Sequence, residues 1–188
     1  MAQTKVDALK MSLYRAQQAV KNCEEVFNYF KNRVGVSDRG RKVRKPSGPS
    51  GFMGVMESAA EYVTAKDRED LSGKAKETSD TYNFLLLAYL DAAGYSERSE
   101  RKSPQEQFRA ILQRYLFVAE KIQSVNQGVE GDMGTATLLE GDARNMSLED
   151  ASVDGVIFSP PYSFAIDYLD NDAFHLNYLG ADTDKLQQ

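Results

Sequence analysis

Ser159-Pro160-Pro161-Tyr162 directly follows the apolar run Val153-Asp154-Gly155-Val156-Ile157-Phe158, and these four residues are the part of the chain best suited by type and order to chemistry. A buried strand that meets two prolines must leave its sheet there, because neither proline donates an N–H and each fixes its own φ. The turn is therefore stiff. A hydroxyl before the prolines, a free carbonyl between them and an aromatic ring after them make a pocket edge with hydrogen-bond acceptors and one stacking face, which suits a flat ligand carrying an amino group. One run earlier, Thr135 to Glu140 is another short β-rich stretch, followed by Gly141-Asp142-Ala143. Two such runs joined by a crossover predict a piece of parallel α/β sheet, and in such sheets ligands sit beyond the carboxyl ends of the strands, where both Asp142 and Ser159 fall.

With its surroundings, the motif resembles the catalytic signature of the S-adenosylmethionine-dependent amino-methyltransferases that act on the exocyclic nitrogen of cytosine or adenine in DNA. That signature is Asp, Asn or Ser before Pro-Pro and then Tyr or Phe, and the Ser form is most similar to the cytosine-N4 enzymes. Leu139-Glu140-Gly141-Asp142-Ala143, Leu148 and Ser152-Val153-Asp154 extend the similarity upstream. Ile166-Asp167-Tyr168 and Tyr178-Leu179-Gly180 extend it downstream, so that it covers roughly the last quarter of the chain. The resemblance implies that Ser159 Oγ and the Pro160 carbonyl accept the N–H groups of the target amine, that Pro161 stiffens the turn, and that Tyr162 stacks on a base swung out of the duplex. It implies that Asp142 bonds the adenosine part of S-adenosylmethionine, with Ala143 offering backbone contact. An arylamine is a poor nucleophile because its lone pair is delocalised into the ring. Polarising and placing it against an already activated methyl group is most of what the protein must supply. RNA and tRNA amino-methyltransferases carry a similar Pro-Pro motif, more often with Asp or Asn at the position of Ser159, and form an alternative within this class.

Each residue also has a plainer reading. Pro160-Pro161 also serves as a bare strand stop, Asp142 as a cap of the segment after it, and Tyr162, Phe164 and Tyr168 as packing rings. The single histidine, His175, lies in an amphipathic stretch from Asp172 to Tyr178 and reads as a surface or packing residue before a base. The lone Cys23 is remote in sequence from the motif, and no metal-ligand spacing is present.

The cofactor-binding glycine turn of the resembling family, a Phe/Pro-x-Gly-x-Gly after a first strand, has no counterpart here. Gly48-Pro49-Ser50-Gly51-Phe52-Met53-Gly54 follows a basic, proline-containing segment and reads as a loop. Ala2-Gln3-Thr4-Lys5 resembles the middle of the helix that follows the family's second strand. The sequence is thus expected to be a partial chain, or half of a split enzyme, with an oligomer or partner chain supplying the cofactor-binding half and covering the apolar half-sheet.

The elements that must position these residues are mostly helical. Val6, Leu9, Leu13, Ala16, Val20, Cys23, Val26, Phe27 and Phe30 recur at helical spacing and predict one long helix from about 5 to 33. Phe52 to Thr64 and Ser79 to Ala93 predict two more, the second buried around Phe84–Leu90, a run too short to cross a bilayer. Ser103-Pro104-Gln105-Glu106 reads as an N-cap with proline at the first helical position, opening a helix to Ile122. The fold expected is α/β: a helical region over 1–127, a connector at 128–134, and a partial Rossmann-like methyltransferase sheet of two strands over 135–188.

Between Arg39 and Lys45 lie five cations, Arg39, Arg41, Lys42, Arg44 and Lys45, next to a Pro/Gly/Ser tract. Such a loop can contact phosphates, adding affinity without base readout, or simply be solvated. The whole chain of 188 residues carries a net charge of −5, unlike a dedicated nucleic-acid binder. A third reading is a helical interaction module with a degenerate methyltransferase segment. One cysteine, with no signal peptide or membrane span, points to the cytoplasm.

Overall fold

The structure, a computed structural model, describes residues 2–8, 11–33, 51–64, 73–99, 101–127, 136–139, 141–142, 144–159 and 167–181. Among them are eight helices: α1 (Ala2–Asp7), α2 (Leu13–Lys21), α3 (Cys23–Lys31), α4 (Phe52–Thr64), α5 (Gly73–Arg98), α6 (Pro104–Gln127), α7 (Tyr168–Asn171) and α8 (Ala173–Leu179). Helix α5 is the axis of the bundle, packing against α1 to α4, α6 and α8. A helix touched from several sides must be apolar around most of its circumference, and Phe84, Leu85, Leu87, Ala88, Tyr89, Leu90 and Ala92 are all buried. Its polar buried residues find partners locally. Thr78 and Thr81 donate to the carbonyls of Lys74 and Glu77 at 2.7 and 2.9 Å, and Asp80 accepts from Lys76 Nζ at 2.7 Å.

The long helix expected over 5–33 is three helices. Ser12 is extended (φ −67°, ψ 125°) and separates α1 from α2, while Asn22 (φ −103°, ψ 32°) separates α2 from α3. Asn22 donates both its backbone N–H and its side-chain amide to the Gln18 carbonyl, each at 3.1 Å, the local competition that makes Asn a poor helix-interior residue. Gln123 of α6 donates to the carbonyls of Ala8 and Met11, at 3.3 and 3.0 Å, so the first break is also held from outside. These bends keep Ala16, Ala19, Val26 and Phe30 on the core as the chain wraps α5 and α6. Such tertiary partners are invisible to periodicity.

Other helical expectations hold. The helix over Phe52–Thr64 is α4, α5 outruns its expected limits at both ends, and α6 opens on a capping box. Ser103 N–H donates to Glu106 Oε2 at 2.9 Å, Ser103 Oγ donates to the same oxygen at 2.7 Å, and Glu106 N–H reaches back to Ser103 Oγ at 3.3 Å. The hydrogen bonds from Ser103 hold the Glu106 carboxyl below the usual range.

The partial Rossmann-like sheet is not present. No strand occurs among the described residues, and the architecture there is helical. Residues 136–139 and 153–159 have no regular structure, and Leu139 (75 % exposed), Val156 (69 %), Ile157 (103 %) and Phe158 (79 %) lie open. A parallel pair needs a crossover, usually a helix. The described residues between these runs instead make two turns, closed by Asn145 N–H on Asp142 O (2.9 Å) and Ser152 N–H on Glu149 O (3.3 Å), with Ala151 left-handed at φ 57°. Among the described residues the core is built from helices, and these runs have neither ladder partners nor a covering layer.

Aromatic rings fill the centre of that core. Phe30 stacks on Tyr89 with centroids 5.5 Å apart, and Phe27 meets Tyr89 and Phe108 at 5.8 and 5.9 Å. Burial pushes the phenols of Tyr29, Tyr89, Tyr115 and Tyr178 up, and for Tyr115 the hydrogen bond it donates to Asp91 adds to the effect. The unfolded chain ionises its tyrosines at about pH 10, before these folded phenols do. Their contribution to stability is therefore complete below about pH 10 and is lost as the pH rises beyond it. In an alkaline titration, helix circular dichroism should collapse together with the late part of the tyrosinate absorbance. Smooth ionisation of every tyrosine near its ordinary value with the helices intact would contradict this.

Candidate functional site

The segment bearing the motif is tied to the bundle on its carboxyl side. Asp167 caps α7 by accepting the Asp170 N–H at 3.0 Å, and α8 ends on Gly180 in the left-handed region (φ 70°), where a residue without Cβ is favoured. Helix α8 lies on α5. His175 Nε2 is 2.9 Å from the Leu90 carbonyl, and the Tyr178 hydroxyl donates to the Phe30 carbonyl at 3.2 Å. A Cβ at Gly94 would come within 3.0 Å of His175 Nε2, so a glycine on α5 makes room for the imidazole. Arg98 adds a hydrogen bond to Asn171. His175 is thus a docking residue, in keeping with its reading as a packing side chain.

Asp142 is exposed, and its carboxylate is fully engaged by a near neighbour. Arg144 donates its backbone N–H to Oδ1 at 2.8 Å and its guanidinium to both oxygens, with Nε at 3.0 and 3.1 Å and Nη2 on Oδ2 at 2.6 Å. These hydrogen bonds, the side-chain ones first, hold the carboxyl below the usual range. Arg144 is the one partner in this region that sequence reasoning missed. The Asp-x-Arg spacing was the available signal, because a turn brings positions i and i+2 together.

Ser159 is exposed at the end of the open apolar run, and no hydrogen bond or ion pair joins it to Asp142 among the described residues. Pro160, Pro161, Tyr162 and Ala143 lie outside the described residues, as do Arg39, Arg41, Lys42, Arg44 and Lys45 of the basic loop. As a seat for S-adenosylmethionine the described residues do not suffice. Asp142 stands in an exposed ion pair with Arg144, and a Cβ at Gly141 would meet nothing within 4 Å, so no cradle closes over a ligand there. Two grooves of about 580 and 380 Å³ lie on the helical bundle, and neither is lined by Asp142 or Ser159.

Elsewhere the chemistry-bearing groups are structural. Cys23 is buried in the core, and burial pushes its thiol up, away from the reactive thiolate. Arg33, at the end of α3, pairs with Glu57 of α4 and donates to the Tyr29 hydroxyl, pinning the two helices together. Among the described residues no group of three or more His, Cys, Asp or Glu side chains is placed to hold a metal ion, and no helix is long and apolar enough to cross a membrane.

The class that these observations define is a helical bundle carrying an irregular, apolar, solvent-open segment that ends on the Ser-Pro-Pro-Tyr motif. Neither family models, curated proteins nor solved structures provide a match to this chain.

Proposed function

We propose that this chain carries the target-amine loop of an S-adenosylmethionine-dependent DNA amino-methyltransferase, with cytosine N4 as the acceptor. The observation that carries the reading is the order of residues from Gly141-Asp142 to Ser159-Pro160-Pro161-Tyr162. In it Ser159 Oγ and the Pro160 carbonyl accept the hydrogens of the amine, Pro161 holds the turn, and Tyr162 stacks on the flipped base. The cofactor supplies the methyl group when bound. Because the described residues make no cradle for it, the cofactor is held by a partner chain bearing the glycine turn, and Asp142 and Ala143 reach it only once Arg144 releases the carboxylate. The open apolar run 153–158 is what such a partner would cover. Arg39, Arg41, Lys42, Arg44 and Lys45 contact DNA phosphates, and the setting is the cytoplasm.

The exposure of Ser159 and Asp142, on a bundle that completes its own core, favours one second reading, a helical interaction module whose methyltransferase segment no longer catalyses. Calorimetric titration of S-adenosylmethionine into the chain alone should give no heat at micromolar concentrations. Reconstitution with a polypeptide carrying the glycine turn should give binding and transfer of labelled methyl groups to DNA. Transfer to RNA and not DNA would move the proposal to the RNA enzymes. Absence of transfer, with stable self-association of the chain, would replace it by the interaction module.

A further inference from the structure

The run from Val153 to Phe158 is fit for a buried strand, yet the structure leaves it open, and this changes the chemistry available where Asp154 meets Gly155. These two residues are the only Asp-Gly pair in the chain. In a sheet the Gly155 N–H would be tied into a ladder and the main chain at Asp154 held extended. Neither restraint is present. Asp154 sits in a bend, both residues are exposed, and the Gly155 N–H makes no hydrogen bond among the described residues. Other aspartates are held. Asp80 is buried in α5 and accepts from Lys76, and Asp167 is fixed as the cap of α7. The Asp154 carboxyl has no hydrogen bond or ion pair of this kind among the described residues.

We propose that Asp154-Gly155 is a site of spontaneous modification, at which Asp154 isomerises to isoaspartate as the chain ages. The Gly155 amide nitrogen attacks Cγ of the protonated Asp154 carboxyl and a C–N bond forms. One water leaves, made of the carboxyl hydroxyl and the amide hydrogen, and a five-membered succinimide remains. Water then adds to one of its two carbonyls. Opening at Cγ restores aspartate. Opening at the Asp154 backbone carbonyl gives isoaspartate, in which the main chain runs through the β-carbon and the former backbone carbonyl becomes a free carboxylate. The composition of the chain is unchanged, and water is the sole co-reactant. Ring closure requires the nitrogen to approach Cγ closely, which a side chain on the following residue obstructs. Gly155 has none, and its surroundings are open, since a Cβ there would meet nothing within 4 Å. The added main-chain carbon lengthens the run that leads to Ser159. The site exists whether or not Ser159 serves methyl transfer.

The test is to hold the full chain at neutral pH and physiological temperature for weeks and to map its peptides by chromatography and mass spectrometry. An isoaspartyl peptide keeps its mass, elutes apart from the aspartyl form, and resists the endoprotease that cuts before aspartate. Isoaspartate should become the major form at position 154, while Asp80 and Asp167 remain aspartate. Asp154→Glu should abolish the new peptide, because the larger imide ring closes far more slowly, and Gly155→Ala should slow its appearance several-fold. Both variants should retain helix circular dichroism, since both positions are exposed and outside the core. An Asp154 that stays unchanged would overturn the proposal. So would conversion of Asp80 and Asp167 at the same pace, which would place the reaction in the unfolded chain. An unaltered rate in Gly155→Ala would equally overturn it, by removing the open approach of the Gly155 nitrogen as the cause.

Discussion

Ser159→Ala, in the assembly competent for methyl transfer, is expected to lower kcat by about 100- to 1,000-fold, the scale seen when one hydrogen-bonding group that acts on developing charge is removed. The affinity for S-adenosylmethionine should change by no more than about 2-fold, because Ser159 is exposed and shares no hydrogen bond with Asp142. The reason lies in the amine. Its lone pair becomes available only as the nitrogen turns tetrahedral, and in the proposed reading the Ser159 hydroxyl would accept a proton-bearing bond that strengthens along that change. The loss therefore belongs in kcat and not in cofactor binding. The readout is single-turnover transfer of labelled methyl to DNA, with cofactor affinity measured on the same preparation. A Ser159→Ala protein that transfers methyl at the wild-type rate would remove Ser159 from the chemistry, and one that loses cofactor affinity in proportion would make it a structural residue.

Phe30→Ala should destabilise the bundle by about 3–5 kcal/mol, a large share of the stability of a domain of this size. Phe30 is fully buried, its ring stacks on Tyr89 and lies 5.5 Å from Tyr82, and its carbonyl receives the Tyr178 hydroxyl. Truncation opens a cavity where α3, α5 and α8 meet, and the rings around it are held by other contacts and cannot all collapse into the space. Equilibrium urea unfolding followed by circular dichroism measures the change. Tyr14→Ala serves as the control, since Tyr14 is 66 % exposed and surface substitutions away from special features stay within about 0.5 kcal/mol. An effect at Phe30 no larger than at Tyr14 would mean that the aromatic core is not what holds the bundle together.

Helix identity was legible wherever a local signal carried it. The apolar run Phe84–Leu90 announced a buried helix, and Ser103-Pro104-Gln105-Glu106 announced a helix start that the capping box bears out. The cap depends on contacts within one turn of the chain, and the length and apolarity of the run mark it as a segment to be buried. The single helix expected over 5–33 failed at Ser12 and Asn22, because hydrophobic periodicity carries through a bend when both halves face the same core. The break at Ser12 is also held by Gln123, more than a hundred positions away.

The two expected strands show the same division more sharply. Apolar β-branched runs such as Val153–Phe158 state that a segment is fit to be buried in a sheet, but a strand exists only when neighbours complete its ladder and cover its faces. Among the described residues the bundle supplies neither. Nor was the pairing of Asp142 with Arg144 read from the residue types, since it forms only where the turn brings the two together. The amino-acid order by itself marked most of the helical segments, where α6 begins, and that Ser-Pro-Pro-Tyr follows an apolar run. Only the tertiary structure decided that the described helices close a core without that run, that α8 docks through His175 beside Gly94, and that Tyr89 is buried among the rings of Phe27, Phe30 and Phe108. The physical reason is range: caps and periodicity act over a few residues, whereas burial, pairing and polar satisfaction are set by whichever distant side chains arrive.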